Sequence, residues 1–155
     1  MLSHHRDIIV DWGGLVSRLD PWRICVTGGR YWDDQNFVWK CLNMFETKIG
    51  EIMELGHGDA DGVDTLARRW CERAAVPHRP YPADWETHGH TAGPIRNGEM
   101  LLDFKPEVLL VFPGNTGTTD CARQARKFTE KGVLNVHRVF FNPVSDPIAD
   151  LLAWG

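Results

Sequence analysis

Three glycine-rich turns hold the residues of this 155-residue sequence whose types and spacing suit chemistry. They are Thr27-Gly28-Gly29-Arg30, Gly56-His57-Gly58 and Gly114-Asn115-Thr116-Gly117-Thr118, and each follows a short apolar run. Glycine lets the backbone approach a ligand closely, and a helix that begins just beyond the turn adds a partial positive charge. Threonine hydroxyls and the Arg30 guanidinium add donors. Any one turn is explained as a tight connection, but the three together predict a phosphate-bearing ligand.

The spacing of these glycines excludes two common nucleotide motifs. It matches neither G-x-G-x-x-G nor G-x-x-x-x-G-K-[ST], so the dinucleotide-binding and P-loop fingerprints are absent from the sequence. Walker-type ATP hydrolysis is therefore not expected.

Polar residues elsewhere have competing interpretations. Arg96 and Asn97 would add a cation and an amide to the site if their helix packs alongside it, and otherwise they form a solvated first turn. Asp61 and Asp64 stand at a predicted helix start, where capping and the helix dipole account for them. Asp64 is also expected to pair with Arg68, four residues on.

Aromatic and metal-binding side chains are less specific signals. His88 and His90 lie two residues apart with no third ligand at a recognisable spacing, so we expect no metal and no cofactor. Three aromatic side chains beside the predicted site either stack on a base or pack a loop onto the body, namely Tyr31, Trp32 and Trp85.

The elements that must position these residues alternate along the chain. Apolar runs predict strands at residues 23–29, 51–58, 76–82, 107–114 and 133–140. Helical periodicity or capping predicts helices at 34–49, 60–75, 94–104 and 118–132, with one more short helix at 146–154 and a loop at 83–93. This order predicts an α/β, Rossmann-like three-layer fold, whose mainly parallel sheet is flanked by helices. The three turns would then share one edge of the sheet.

The chain is organised as a single domain, residues 21–155, preceded by an N-terminal appendage of residues 1–20 that has no strong period. Its net charge of −4 argues against bulk nucleic acid or an anionic membrane as partner. Four cysteines without a C-x-x-C pair are expected to be buried free thiols, in keeping with a reducing cytoplasm. No secretion signal or membrane span is apparent, so we expect a cytoplasmic protein.

Four segments in order, VTGGR, GHGDADGVD, AGPIRNGEM and VFPGNTGTTD, resemble the SLOG superfamily, which unites the Smf/DprA and LOG proteins. The resemblance covers roughly residues 22–140 and is greatest to small YpsA-like and phage-type members. It implies that the DGVD segment borders a ligand cleft, where Asp61 would hold a ribose hydroxyl. Related folds often form dimers, which makes a homodimer possible.

The LOG branch hydrolyses the N-glycosidic bond of nucleoside 5′-monophosphates through a PGGxGTxxE loop and an arginine-lysine pair on the preceding helix. When this signature is carried over to the present sequence, five residues match it: Pro113, Gly114, Gly117, Thr118 and Arg96. Three positions differ, because Asn115 stands in place of a glycine, Asn97 in place of the lysine and Cys121 in place of the glutamate.

The thiol at Cys121 bears on the function that we expect. Hydrolysis at an anomeric carbon builds positive charge that a carboxylate stabilises and a neutral thiol does not. Cys121 is in line with Ala125 and Phe128, which predicts core packing, and Asp120 lies about 100° round the helix.

We therefore rank three hypotheses. The first is binding of a nucleotide or of a small molecule derived from a nucleotide, for example an NAD-related metabolite. The second is an N-glycosidase that uses Arg96 and Asp120. The third, DprA-like binding of single-stranded DNA, is disfavoured by the acidic balance. The identity of the ligand, its hydrolysis and the oligomeric state are left open by the sequence.

Overall fold

The computed structural model describes residues 8–144, and the helix predicted for residues 146–154 lies outside them. Six strands form one sheet in the order β1-β6-β5-β2-β3-β4. The strands are β1 (Ile8–Asp11), β2 (Trp22–Thr27), β3 (Ile52–His57), β4 (His78–Pro80), β5 (Val108–Val111) and β6 (His137–Pro143). All neighbouring pairs are parallel except β1 and β6. The predicted α/β class with a mainly parallel sheet is confirmed.

Helices cover both faces of the sheet. They are α1 (Gln35–Lys48), α2 (Val63–Ala74), α3 (Trp85–His88), α4 (Ala92–Phe104) and α5 (Thr116–Glu130). Buried side chains of α1 and α2 form one core cluster with Ile24 and Val26, while those of α4 and α5 form a second with Cys25. Alternate residues of β2 thus point into different cores. This explains why its sequence is a continuous apolar run rather than an alternating one.

The helix starts show where local chemistry decides structure. The Asp34 carboxylate caps α1 by accepting a hydrogen bond of 3.1 Å from the Phe37 N–H. Residues 83–93 were predicted to be a loop, and this was wrong. Asp84 caps a turn of helix by accepting from the Thr87 N–H at 3.1 Å, and a 3₁₀ turn, Gly89–Thr91, leads into α4.

Two helices begin earlier than their sequence pattern indicates. Helix α4 starts at Ala92, so Arg96 and Asn97 lie in its second turn rather than its first. Helix α5 starts at Thr116, so the last part of the predicted glycine loop is helical.

Asp64 is not paired with Arg68, which corrects the expected ion pair. Arg68 instead donates to Glu72 at 3.0 Å, while Asp64 is only 6% exposed and faces inward. Helical periodicity predicts an apolar stripe on α2 that consists of Val63, Leu66, Ala67, Trp70, Cys71 and Ala74. The first five are buried, whereas Ala74, in the last turn of the helix, is exposed.

The order of the strands creates a topological switch point. From β2 the chain proceeds outward through β3 and β4, then returns to place β5 on the other side of β2 and β6 beyond it. In such sheets a crevice opens beyond the carboxyl ends of the two strands at which the direction reverses. Here these strands are β2 and β5, so the loops that follow them face one another.

Within residues 8–144, no helix is long and apolar enough to cross a membrane. The four cysteines are all buried and free, as the sequence predicted.

Candidate functional site

A cleft of about 1080 Å³ opens at the switch point. Its walls are the β2–α1, β3–α2 and β5–α5 loops and the facing sides of α4 and α5. The sequence-predicted site residues that line it are Thr27, Gly28, Gly29, Arg30, Gly58, Arg96, Asn97, Gly114, Asn115, Thr116, Gly117, Thr118 and Asp120. Asp61 is exposed and is not among the residues that line it.

The three loops are joined to one another by backbone hydrogen bonds. The Gly29 N–H donates to the Pro113 carbonyl at 2.8 Å, and the Gly29 carbonyl accepts from the Val63 N–H at 3.2 Å. A Cβ on Gly62 would overlap this carbonyl oxygen and lie 2.6 Å from the Arg30 carbonyl carbon. Several of the glycines are thus required by contact between loops, in addition to any contact with a ligand.

The first turn of α5 is different, because its residues line the cleft and its backbone donors are not used within the helix. The first intrahelical hydrogen bond is the 3.0 Å bond from the Thr119 N–H to the Asn115 carbonyl, and the Asn115 side chain makes no capping bond. The N–H groups of Thr116, Gly117 and Thr118 therefore have no intrahelical acceptor. The N-terminus of this 15-residue helix is therefore suited to attract an anion, both through its free N–H donors and through the helix dipole.

Arg96 holds α4 against the β3–α2 loop, which is the packing that its predicted role required. Its guanidinium Nη1 donates to the carbonyls of Gly58 and Tyr81, the latter at 3.3 Å. Its Nε donates to the Asn97 side-chain oxygen at 3.0 Å. Arg96 is thus partly engaged in structure, and it brings a fixed positive charge to the wall of the cleft.

Asp120 also lines the cleft, with its carboxylate 13% exposed. It accepts hydrogen bonds from Asn97 Nδ2 at 3.1 Å, Gln124 Nε2 at 2.7 Å and Arg123 Nη2 at 2.8 Å. Asn97 Nδ2 lies 3.2 Å from the Gly117 carbonyl as well, and so links α4 to the first turn of α5. The carboxylate is therefore held in one orientation beside the open helix end.

Cys121, by contrast, is part of the core. It is fully buried with Met100 and Leu101, outside the lining of the cleft. Burial raises the pKa of its thiol to about 12, although a hydrogen bond with Thr27 acts in the opposite direction. The thiol is therefore neutral near pH 7, and the predicted packing role is confirmed.

Arg123 and Asp64 are cleft residues that the sequence interpretation missed, and Asp64 is the buried one of the two. It lines the cleft, and its Oδ2 accepts from the N–H groups of Gly58 at 3.1 Å and Ala60 at 3.3 Å. Burial raises the pKa of this carboxyl to about 6, against the lowering effect of Arg96. Residue spacing gave no signal for it, because Asp64 lies about 100° from Val63 and only about 40° from Arg68 around the helix, which favours a solvated pair with Arg68.

Aromatic residues and a second cation lie at the outer edge of the cleft. The Arg30 guanidinium lies 5.5 Å from the centre of the Trp85 ring, and Tyr31 is 84% exposed beside them. Trp32 lies outside the lining and packs edge-on against Phe37. The stacking role considered for Trp32 is thus replaced by loop packing.

Two histidines form a pair below the β3–α2 loop. The Asp59 N–H donates to His57 Nδ1 at 3.1 Å, so this nitrogen is unprotonated and Nε2–H faces His78 Nδ1 at 3.0 Å. Burial, together with His78, lowers the pKa of His57 to about 4. Within residues 8–144, no group of three or more histidine, cysteine or acidic side chains is placed to hold a metal ion.

Comparison with known proteins agrees with this arrangement. The model of the YspA, cpYpsA-related SLOG family matches residues 22–88, which include the first two glycine-rich loops. The chain is also 37% identical over 114 residues to the Gene 61 protein of Mycobacterium phage D29, an alignment that covers 68% of this chain and 89% of that protein. No solved structure matches the chain.

Proposed function

The chain belongs to the YspA, cpYpsA-related SLOG family, and from this premise we propose that it binds a nucleotide or nucleotide-derived small molecule in the cleft at the switch point. The observation that carries the proposal is the open first turn of α5, where three residues that line the cleft have N–H groups without intrahelical acceptors. A phosphate seated there would satisfy these donors and interact favourably with the helix dipole.

The charges on the walls support an anionic ligand. Arg30, Arg96 and Arg123 all line the cleft. Arg96 is held in place by backbone carbonyls, whereas Arg30 and Arg123 are exposed. Their reach and planar donor groups suit the recognition of phosphate oxygens.

The size and outer edge of the cleft support a ligand larger than phosphate alone. Its volume of about 1080 Å³ slightly exceeds the ~300–1,000 Å³ usual for small-molecule sites. Trp85 and Tyr31 offer exposed rings at the outer edge, and stacking on an aromatic ring contributes about 1–3 kcal/mol per base. A nucleotide would thus place its phosphate on α5 and its base toward these rings.

Calorimetric titration with 5′-AMP, 5′-GMP, 5′-CMP, 5′-UMP, ADP and NAD tests the proposal, with adenosine as the phosphate-free control. We expect at least one nucleotide to bind and adenosine to bind at least tenfold more weakly. No binding by any of the six nucleotides, or equal binding of adenosine and AMP, would contradict a phosphate site.

A second candidate function is hydrolysis of the N-glycosidic bond of a nucleoside 5′-monophosphate. The observation that favours it is that Asp120 lines the same cleft, held by three donors beside the open helix end. A fixed carboxylate there would stabilise the positive charge that develops at the anomeric carbon, in place of the glutamate that Cys121 replaces.

Incubation with the same monophosphates, followed by chromatography, tests this activity. Release of free base and ribose 5-phosphate that is abolished in Asp120→Asn would establish it, and Asp61→Asn is the matched control. Intact monophosphates after incubation with protein that binds them would leave the chain as a binder only. The cytoplasmic location and the homodimer remain predictions.

A further inference from the structure

One carboxylate oxygen of a residue that lines the cleft has no hydrogen-bond partner among the described residues. Asp64 is 6% exposed, and among the described residues its Oδ1 accepts from no donor. A buried polar atom left in this way costs free energy, so most such atoms in proteins are paired. Asp64 is also a lining residue of the cleft, so a ligand bound there is a candidate source of the missing donor.

The surrounding protein fixes the orientation of this carboxyl group. Oδ2 is held by two backbone donors, the N–H groups of Gly58 and Ala60. A Cβ on Gly58 would lie 2.9 Å from Oδ2 and would also overlap Arg96, so glycine leaves room for both side chains. Arg96 donates to the Gly58 carbonyl and not to Asp64.

We propose that Asp64 is a specificity-determining residue of the cleft, whose Oδ1 accepts a hydrogen bond from an O–H or N–H group of the ligand. This inference rests on the proposed function, since it places a donor-bearing part of the same nucleotide beside Asp64. Two parts of a nucleotide carry such donors, namely the ribose hydroxyls and the exocyclic amine of the base. The resemblance implied that Asp61 holds a ribose hydroxyl, and this proposal instead makes Asp64 the acceptor in the cleft.

The environment of Asp64 predicts a pH dependence of binding. The charged and titratable groups that face it are Arg96 on α4, Asp59 in the β3–α2 loop, Cys25 on β2 and Cys121 on α5. Burial keeps both thiols neutral, and the pKa of Asp64 itself is about 6. A ligand that donates to Oδ1 prefers the carboxylate, so its affinity should fall about tenfold per pH unit below pH 6.

Asp64→Asn is a sharp test because the backbone donors determine which way the amide points. The N–H groups of Gly58 and Ala60 require the amide oxygen at the position of Oδ2, so the amide nitrogen replaces Oδ1. An N–H group then faces the donor of the ligand. We expect 5′-AMP to bind about 10- to 100-fold more weakly to Asp64→Asn. Asp61→Asn, which changes an exposed aspartate in the same loop, should bind as wild type does.

Two analogues identify the donor, and each nucleotide of the panel that binds is tested with its own analogues. If a ribose hydroxyl donates, 2′-deoxy-AMP binds wild type as weakly as AMP binds Asp64→Asn. If the exocyclic amine donates, inosine 5′-monophosphate shows this loss instead. The phosphate itself titrates near pH ~6. The pH slope is therefore compared between wild type and Asp64→Asn on the same nucleotide, and only wild type should show the additional proton-linked loss.

The possible failures are distinguishable. If wild type binds a nucleotide and Asp64→Asn binds it equally well with the same pH slope, the role of Asp64 is refuted and the proposed function stands. If wild type binds no nucleotide at any pH between 5 and 8, the proposed function fails, and the role of Asp64 fails with it.

Discussion

Gly117 stands apart from the loop glycines because a Cβ at this position would meet no protein atom within 4 Å. It is the second residue of α5 and lines the cleft. A side chain there changes the site without disturbing the packing of the protein. Charge at this position is consequently a direct probe of a bound anion.

We predict that Gly117→Asp weakens nucleotide binding by at least tenfold, since its carboxylate would compete with phosphate for the end of the helix. The fold should be stabilised by about 0.5–1 kcal/mol, because glycine is replaced within a helix and an acidic group is added to its first turn. Calorimetric titration and urea unfolding measure the two effects.

Gly117→Asn is the matched control, with nearly the same size and no charge. It should retain more affinity than Gly117→Asp, and the difference between the two should shrink at high salt. Equal losses at all salt concentrations would show that crowding, and not charge, is responsible.

Asp61 and Asp64 show which features of the site could be predicted from the sequence and which could not. The acidic character of the β3–α2 loop and its place beside the ligand cleft could be predicted. Which of the two aspartates lies in the cleft could not be predicted. It depends on where α2 begins, and the helix begins at Val63 with Gly62, rather than Asp61, as its N-cap residue. The backbone N–H groups of Gly58 and Ala60 then select Asp64, and this loop geometry has no counterpart in residue spacing.

At the scale of elements, the junction between the β2–α1 and β3–α2 loops depends on Gly62. Its φ is +75°, and any Cβ would overlap the Gly29 carbonyl oxygen. Both loops would have to move apart to admit a side chain, and the walls of the cleft would move with them.

We predict that Gly62→Ala costs about 3 kcal/mol or more in the free energy of unfolding, from overpacking and from backbone strain together. Nucleotide affinity should fall as well, and unfolding by urea together with calorimetry would record both. The control is Gly132→Ala, since Gly132 has a similar φ of +73° with no atom within 4 Å of its Cβ position. It should lose about 1 kcal/mol and bind normally. Equal losses of stability in the two variants would mean that loop contact contributes nothing.

The buried elements were the predictable ones. Continuous apolar runs for β2 and β5 and the stripe of α2 reflect burial that is encoded locally, so their types were correct. The turn of helix α3 was missed because a single capping bond from Asp84 stabilises it within a polar segment. Strand β1 gave no pattern because only four residues pair, and they do so with the distant β6.

For the whole molecule, two buried groups make opposite contributions to stability as pH changes. The pKa of Asp64 is raised from 3.8 to about 6, so its contribution is complete below pH 3.8 and is lost as pH rises through 6. The pKa of His57 is lowered from 6.5 to about 4, so its contribution is present above pH 6.5 and is lost as pH falls through 4. Each of these two pKa shifts changes the free energy of unfolding by up to about 3 kcal/mol.

We therefore predict that Asp64→Asn is more stable than wild type by up to about 3 kcal/mol at pH 8 and equally stable near pH 4. Without the opposing contribution of Asp64, the stability of the variant should decrease more steeply than that of wild type between pH 6.5 and 4. Urea unfolding at several pH values measures both, and Asp61→Asn should follow the wild-type curve. A variant less stable than wild type at pH 8 would contradict the cost assigned to the buried carboxylate.

The hydrogen bonds between loops have a consequence for the motions of the protein. The N–H groups of Gly29, Val63 and Phe112 are each used in a bond to the backbone of a neighbouring loop or strand at this edge, so one loop cannot detach without releasing the others. Transient opening of the cleft is then a single cooperative event. In native-state hydrogen exchange, these three amides would share one opening free energy, and a nucleotide in the cleft would slow all three together.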